Sequence, residues 1–172
     1  MKHFLTLVLG VLLFAPIHAQ EKPPVDPNAP YLKDNRMPAF SITGVDGKEI
    51  TNKQIPKYKY TCFIIFSPDC PHCQKEATDI IKYAAKFKNV LFIWDSFRDM
   101  ESIKKFAINY NINNQPNMII GRDPNFTIPS FFRPRMTPFM ALYLNGKLLR
   151  LSTKERWHVL RIKVFPFSSI SG

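Results

Sequence analysis

The chain predicts an α/β protein built on a central mixed β-sheet flanked by helices, and three local signals predict it. Residues 63–73, FIIFSPDCPHC, are an apolar run that breaks briefly and then opens a helix at two cysteines with two residues between them. An amphipathic helix follows, and a second apolar run at 90–94 completes a β-α-β unit. Further on, Asn145-Gly146 joins the apolar runs 139–144 and 147–151, the strongest short hairpin signal in the chain.

The elements follow in order. Residues 1–19 carry Lys2 and His3, an apolar run at 4–15 and then Pro16-Ile17-His18-Ala19, the three parts of a secretory signal peptide cleaved after Ala19. The apolar run is too short to span a bilayer, which takes about 20 residues. After cleavage no membrane span is expected. The next residue is Gln20 rather than a cysteine, so lipid modification is not expected either. Residues 20–36 hold Pro23, Pro24, Pro27 and Pro30 and read as an extended leader or tether. Residues 39–43 and 48–51 flank the turn signal Asp46-Gly47, predicting a small hairpin.

Residues 58–66 read as a central strand. In the helix beyond it, Cys73, Ala77, Ile80, Ile81, Ala84 and Phe87 recur at three- and four-residue steps, with Lys75, Glu76, Asp79, Lys82 and Lys86 assigned to the solvent face. Asn89 is the expected stop. Asp99 can cap a second helix reaching Tyr110, with Ile103, Phe106 and Ala107 inward. A further strand is expected at 118–121 and a short helix at 125–132, against which Pro129 argues. Domain boundaries follow: signal peptide 1–19, leader 20–36, one domain at 37–151, and an atypical tail at 152–172 whose Trp157, Leu160, Ile162 and Val164 fit neither period well.

Composition narrows the function. With 172 residues and 45% hydrophobic content the chain suits one domain with a sizeable core. Its formal net charge of +11 would suggest nucleic acid, but an exported protein rarely meets it, and the charges are dispersed over a helix face (Lys75, Lys82, Lys86, Lys88) and a loop (Arg133, Arg135). A solvated basic surface is the better reading, with weak attraction to anionic envelope surfaces second. Among three cysteines, Cys62 lies inside a strand and is expected to pack as a small hydrophobe. For Cys70 and Cys73 a zinc site needs a second ligand pair, and only His72 and His158 remain beyond residue 19.

A cysteine at a helix N-terminus sits among unpaired backbone N–H groups at the positive end of the macrodipole, which favours thiolate. Cys70 is thus the expected nucleophile. Cys73, one turn later on the same face, can close a disulfide onto it. The pair reads as a redox switch.

Taken together, the order of hairpin, strand, CPHC helix, strand, extra helix and strand, short helix, Met136-Thr137-Pro138 and final hairpin resembles the thioredoxin superfamily, specifically its exported TlpA-like and redoxin-type branch. The resemblance covers residues 37–151. It implies a thioredoxin-like fold with an N-terminal hairpin, an inserted helix-strand and an atypical C-terminus. It also implies a thiol-disulfide oxidoreductase of the bacterial envelope or periplasm, without a cofactor, acting on exported protein thiols and disulfides and supplied by a membrane thiol-redox donor. Pro138 would be a cis-proline facing the dithiol, and the Thr137 backbone would pair an extended substrate segment. His72 and Asp69 would tune Cys70 in opposite senses, the first favouring thiolate and the second opposing it.

The CPHC motif is similar to that of disulfide-forming oxidases, whereas the rest of the chain looks like the reductive TlpA type. Thioredoxins usually carry tryptophan where this chain has Asp69, and many have a buried acid where it has Ile64, so the proton-transfer group is unassigned. Other readings are a copper-binding module, for which His158 is the only distant candidate ligand, and a non-catalytic interaction domain. A peroxidase fits less well, because Pro68 follows Ser67. Substrate specificity is expected from a loop at 113–135.

Overall fold

A computed structural model describes residues 26–153. The segment read as a signal peptide, the first part of the leader and most of the tail, with His158, lie outside the described residues. Seven strands form one mixed sheet: β1 (Ser41–Gly44), β2 (Glu49–Thr51), β3 (Tyr60–Ile65), β4 (Val90–Ser96), β5 (Met118–Arg122), β6 (Phe139–Leu144) and β7 (Lys147–Thr153). Their spatial order is β2-β1-β5-β4-β3-β6-β7. The helices are α1 (Pro71–Lys82), α2 (Met100–Asn109) and α3 (Thr127–Phe132), with 3-10 turns at Pro30–Leu32 and Ala84–Lys86. No described helix is long and apolar enough to cross a membrane.

β3 and β4 run parallel, as the β-α-β reading requires, and both are buried on their two faces, which explains why they read as unbroken apolar runs. Side chains alternate across the sheet. On the α1/α2 side, Phe66 meets Phe106 at 4.6 Å between ring centroids and Trp94 edge-on at 5.7 Å. On the other side, Phe63 takes Phe40 at 5.4 Å and Tyr143 at 5.8 Å, both edge-on, beneath α3. Asp99 caps α2 by accepting the Ser102 N–H at 2.8 Å. Asn145 and Gly146 both hold positive φ in the final hairpin, the conformation its two-residue turn demands.

Three expectations and one objection need correcting. Glu76, assigned to the solvent face, is fully buried. Its place three residues after Cys73 and four before Ile80 puts it on the apolar stripe whatever its charge. The helix ends at Lys82 and tightens into a 3-10 turn instead of running to Asn89. Pro129 sits inside α3, at its third residue, where a helical N–H has no partner to lose. The leader is no tether from Ala29 onward: Ala29 and Tyr31 are buried, and the Tyr31 ring lies 6.0 Å from Phe132.

Asp95, near the C-terminal end of β4, is fully buried between Ile65 of β3 and Gly121 of β5, and neither carboxyl oxygen has a hydrogen-bond partner among the described residues. Burial, reinforced by the nearby Asp123 carboxylate, pushes its pKa well above 3.8. The folded protein therefore holds this proton where the unfolded chain releases it, so the residue costs stability as pH rises above 3.8. Chemical denaturation of Asp95→Asn and the parent between pH 4 and 8 is expected to show the variant gaining on the parent steadily with pH. Parallel pH profiles would show that Asp95 is not held protonated.

Candidate active site

The site grows from the end of β3. Phe66 continues the parallel ladder by donating its N–H to Asp95 O at 3.0 Å, and the chain then turns through Ser67-Pro68-Asp69, closed by Cys70 N–H to Ser67 O at 3.1 Å. Pro71 is the first residue of α1, where its fixed φ and missing N–H cost nothing, and the Gln74 N–H reaches Cys70 O at 3.1 Å. Cys70 is thus the N-cap residue itself. The Gln74 side chain secures the turn by donating to Pro68 O at 3.0 Å.

Across from it lies the entry to β6. The antiparallel register pairs Ile65 with Phe139, so the segments just beyond these residues face each other at one edge of the sheet. Thr137-Pro138 is a cis peptide, and the Cys70 thiol donates to Thr137 O at 3.6 Å. Pro138 is buried and Thr137 half-buried. Cys70, Cys73, Thr137 and Pro138 therefore meet at one place, at the C-terminal edge of the parallel strands where α/β sheets carry their sites.

The two thiols differ sharply. Cys70 is partly exposed and Cys73 fully buried, and both are free. Burial pushes Cys70 up, but hydrogen bonds from the Cys73 thiol and N–H, from Thr137 and from the His72 N–H outweigh it and bring it below its ordinary 9.0. Cys73 is pushed up to about 12 by burial; a hydrogen bond from the Ser67 backbone opposes this, its hydrogen bond to Cys70 and the Cys70 charge add to it, and Thr137 opposes it. Cys62 is raised further still by burial and by the charge of neighbouring Glu76; its thiol donates to Phe63 O at 3.8 Å.

The two residues expected to tune Cys70 behave differently from the sequence reading. His72 is exposed at the second position of α1 and acts on Cys70 through its backbone N–H. Asp69 is occupied: its carboxylate accepts from the Ser67 hydroxyl and pairs with Arg98 at 3.2 Å, and both hold it below the usual carboxylate range. Two residues were missed. Arg98 lies 29 positions beyond Asp69, and nothing local announces their pairing. Glu76, within electrostatic reach of Cys62 on the same side of the sheet as Cys73, was legible from its helical position alone. Among the described residues no group of three or more His, Cys, Asp or Glu side chains is placed to hold a metal ion.

The contrast between the thiols has a direct readout. Alkylation of the reduced protein by iodoacetamide, followed by peptide mass mapping across pH 6 to 10, is expected to label Cys70 first with a midpoint below 9.0, while Cys73 and Cys62 stay unlabelled in the folded state. Equal labelling of Cys70 and Cys73 at neutral pH would contradict the geometry.

No family model matches the chain. No curated protein matches it either. Solved structures do. A secreted Mycobacterium tuberculosis disulfide oxidoreductase homologous to DsbE of E. coli aligns with a TM-score of 0.60 at 19% identity, covering 73% of this chain and 95% of that one. The thioredoxin domain of a thiol-disulfide oxidoreductase from Bacteroides vulgatus aligns with a TM-score of 0.61 at 18% identity, over 75% of this chain and 95% of that one. A peroxiredoxin-like protein from Aquifex aeolicus aligns at 0.59 and 15% identity, over 76% and 84%. Similarity at this level speaks for architecture and leaves the chemistry to the site. With its mixed seven-stranded sheet and a dithiol at the first crossover opposite a cis Thr137-Pro138, the chain has the thioredoxin-like fold.

Proposed function

We propose that the protein is a thiol-disulfide oxidoreductase that exchanges disulfides with exported proteins through Cys70 and Cys73, working as a reductant. The observation that carries this reading is the unequal pair: a partly exposed thiol of lowered pKa at the N-cap of α1, and a buried thiol of raised pKa one turn later. The Cys70 thiolate attacks one sulfur of a substrate disulfide, forms a mixed disulfide and expels the other substrate sulfur as thiolate. Cys73 then gives up its proton and attacks Cys70 Sγ. The second substrate thiolate leaves, and two electrons have passed from the dithiol to the substrate. Opposite Cys70, the Thr137 backbone is the place for an extended substrate segment, with Pro138 behind it.

Direction follows from what stabilises the Cys70 thiolate. Strong oxidants owe their potential to a strongly stabilised reduced form. Here the main influences are burial, which opposes the thiolate, and neutral hydrogen bonds, which favour it; none of them is a cation. Such a balance supports the reducing role over the disulfide-forming one that CPHC alone suggests. The signal pattern read at 1–19 supports work in the envelope, where a membrane thiol-redox donor would restore the dithiol.

Equilibration in glutathione buffers of graded poise, with thiol trapping, is expected to give one two-electron transition near about −270 mV, whereas a value near −120 mV would make the protein an oxidase. With an insulin-type protein disulfide as substrate, Cys70→Ser is expected to abolish turnover, and Cys73→Ser to accumulate a mixed disulfide through Cys70. Turnover that survives Cys70→Ser would remove the proposal.

A further inference from the structure

The edge that carries Cys70 also carries apolar surface that no described residue covers. Five large hydrophobic side chains are exposed among the described residues, and three of them, Phe97, Phe126 and Met136, lie in the connections after β4, before α3 and before β6. Phe97 follows β4 and Phe126 precedes α3; they are 38% and 48% exposed, and their rings stack at 5.1 Å with planes 24° apart. Arg98, next to Phe97, bonds Asp69, the residue before Cys70. Met136 immediately precedes Thr137, whose carbonyl receives the Cys70 thiol. The patch therefore flanks the sulfur on the β4 and β6 sides.

Its presentation is built rather than incidental. Phe126 holds φ 54° and ψ 31°, a left-handed conformation that costs a bulky residue energy. Buried Asp123 imposes it by accepting the N–H groups of Asn125 at 3.1 Å and Ile128 at 2.8 Å on either side. The acids nearest the patch, Asp69 and Asp26, are paired with Arg98 and Arg133. Arg122, Arg133 and Arg135 are the charged side chains exposed between residues 122 and 136, since Asp123 is buried. Arg122 lies in register with Ser96, just before Phe97. Arg133 is held by Asp26 at 3.1 Å, while Arg122 and Arg135 have no ion pair among the described residues.

We infer that Phe97, Phe126 and Met136 form the docking surface for one class of substrate polypeptide, a segment bearing a bulky apolar side chain and carboxylates beside its disulfide. The aromatic pair takes the apolar side chain, and Arg122 and Arg135 take the carboxylates. A second copy of this chain is the poorer occupant, because a two-fold interface here would set these arginines against their own symmetry mates. The inference rests on the oxidoreductase reading and names the substrate class of that site. It also narrows the specificity loop expected at 113–135, which contains β5 and α3, to Arg122, Phe126 and Arg135 within it.

The test uses the reduced full chain and three disulfides: neutral 2-hydroxyethyl disulfide, and two peptides of equal length with an internal disulfide preceded by Phe-Glu-Glu or by Ser-Lys-Lys. The expected kcat/KM ratio of the first peptide over the second is about tenfold or more, falling toward one in Phe126→Ser and in Arg122→Glu/Arg135→Glu. Each ratio is read within one preparation, so a partly misfolded variant does not distort it. Reduction of 2-hydroxyethyl disulfide with both peptides turned over equally, or a ratio unchanged in both variants, overturns the docking surface and leaves the oxidoreductase reading standing. Failure to reduce any of the three overturns both. Sedimentation of the wild type as a dimer that Phe126→Ser dissociates would assign the patch to a second copy instead.

Discussion

The active edge depends on the register of β3. This strand is hydrogen-bonded on both sides, parallel to β4 and antiparallel to β6, and the pairings Ile65 with Asp95 and Ile65 with Phe139 fix how far each neighbour reaches. A slip of one residue would turn every side chain of β3 to the opposite face, exchanging Phe63 with its neighbours in two dense aromatic clusters. The core thus locks the register, and the register brings Cys70 and Thr137 within hydrogen-bonding reach. Chemistry that needs placement to a few tenths of an ångström is anchored in buried strands rather than in the turn that carries the sulfur.

From that placement the inequality of the two thiols follows. Starting α1 at Pro71 leaves Cys70 at the cap, where backbone N–H groups point outward, and puts Cys73 one turn deeper against the α1/α2 core. Burial raises both thiols, but only Cys70 receives enough hydrogen bonds to reverse the effect. A single helical turn therefore separates a partly exposed thiol of lowered pKa from a buried thiol of raised pKa. The sequence specifies this by spacing alone.

Much of the fold was legible for the same reason. The strands, the capped α2 and the Asn145-Gly146 hairpin follow from periodicity and turn chemistry, which act over a few residues. What was misread depends on partners distant in sequence or on letting composition outrank position. Glu76 reads as exposed from its charge, although its spacing puts it among Cys73, Ala77 and Ile80. The proline-rich leader offered no period that would reveal Tyr31 docking on Phe132. Asp95 disappeared inside an apolar strand, and the pairing of Asp69 with Arg98 and the stack of Phe97 on Phe126 each span 29 residues. At the site, the thiols, the Thr-Pro and the tuning positions 69 and 72 were readable, while Arg98 and the routes by which the tuning residues act were not.

Those modulating groups divide the electrostatics of the edge into two parts. Asp69, the only formal charge beside Cys70 in sequence, is matched by Arg98 and held by Ser67, so it does little to the thiolate. The balance of Cys70 is set by burial against neutral hydrogen bonds, interactions that salt screens weakly. The arginines at 122 and 135 are exposed and act over longer distances, where salt screens strongly. On the proposed function, redox poise and partner attraction are thereby governed by different residues of one surface. On that reading, substitution at the arginines alters which disulfides arrive without altering how readily the dithiol gives up its electrons.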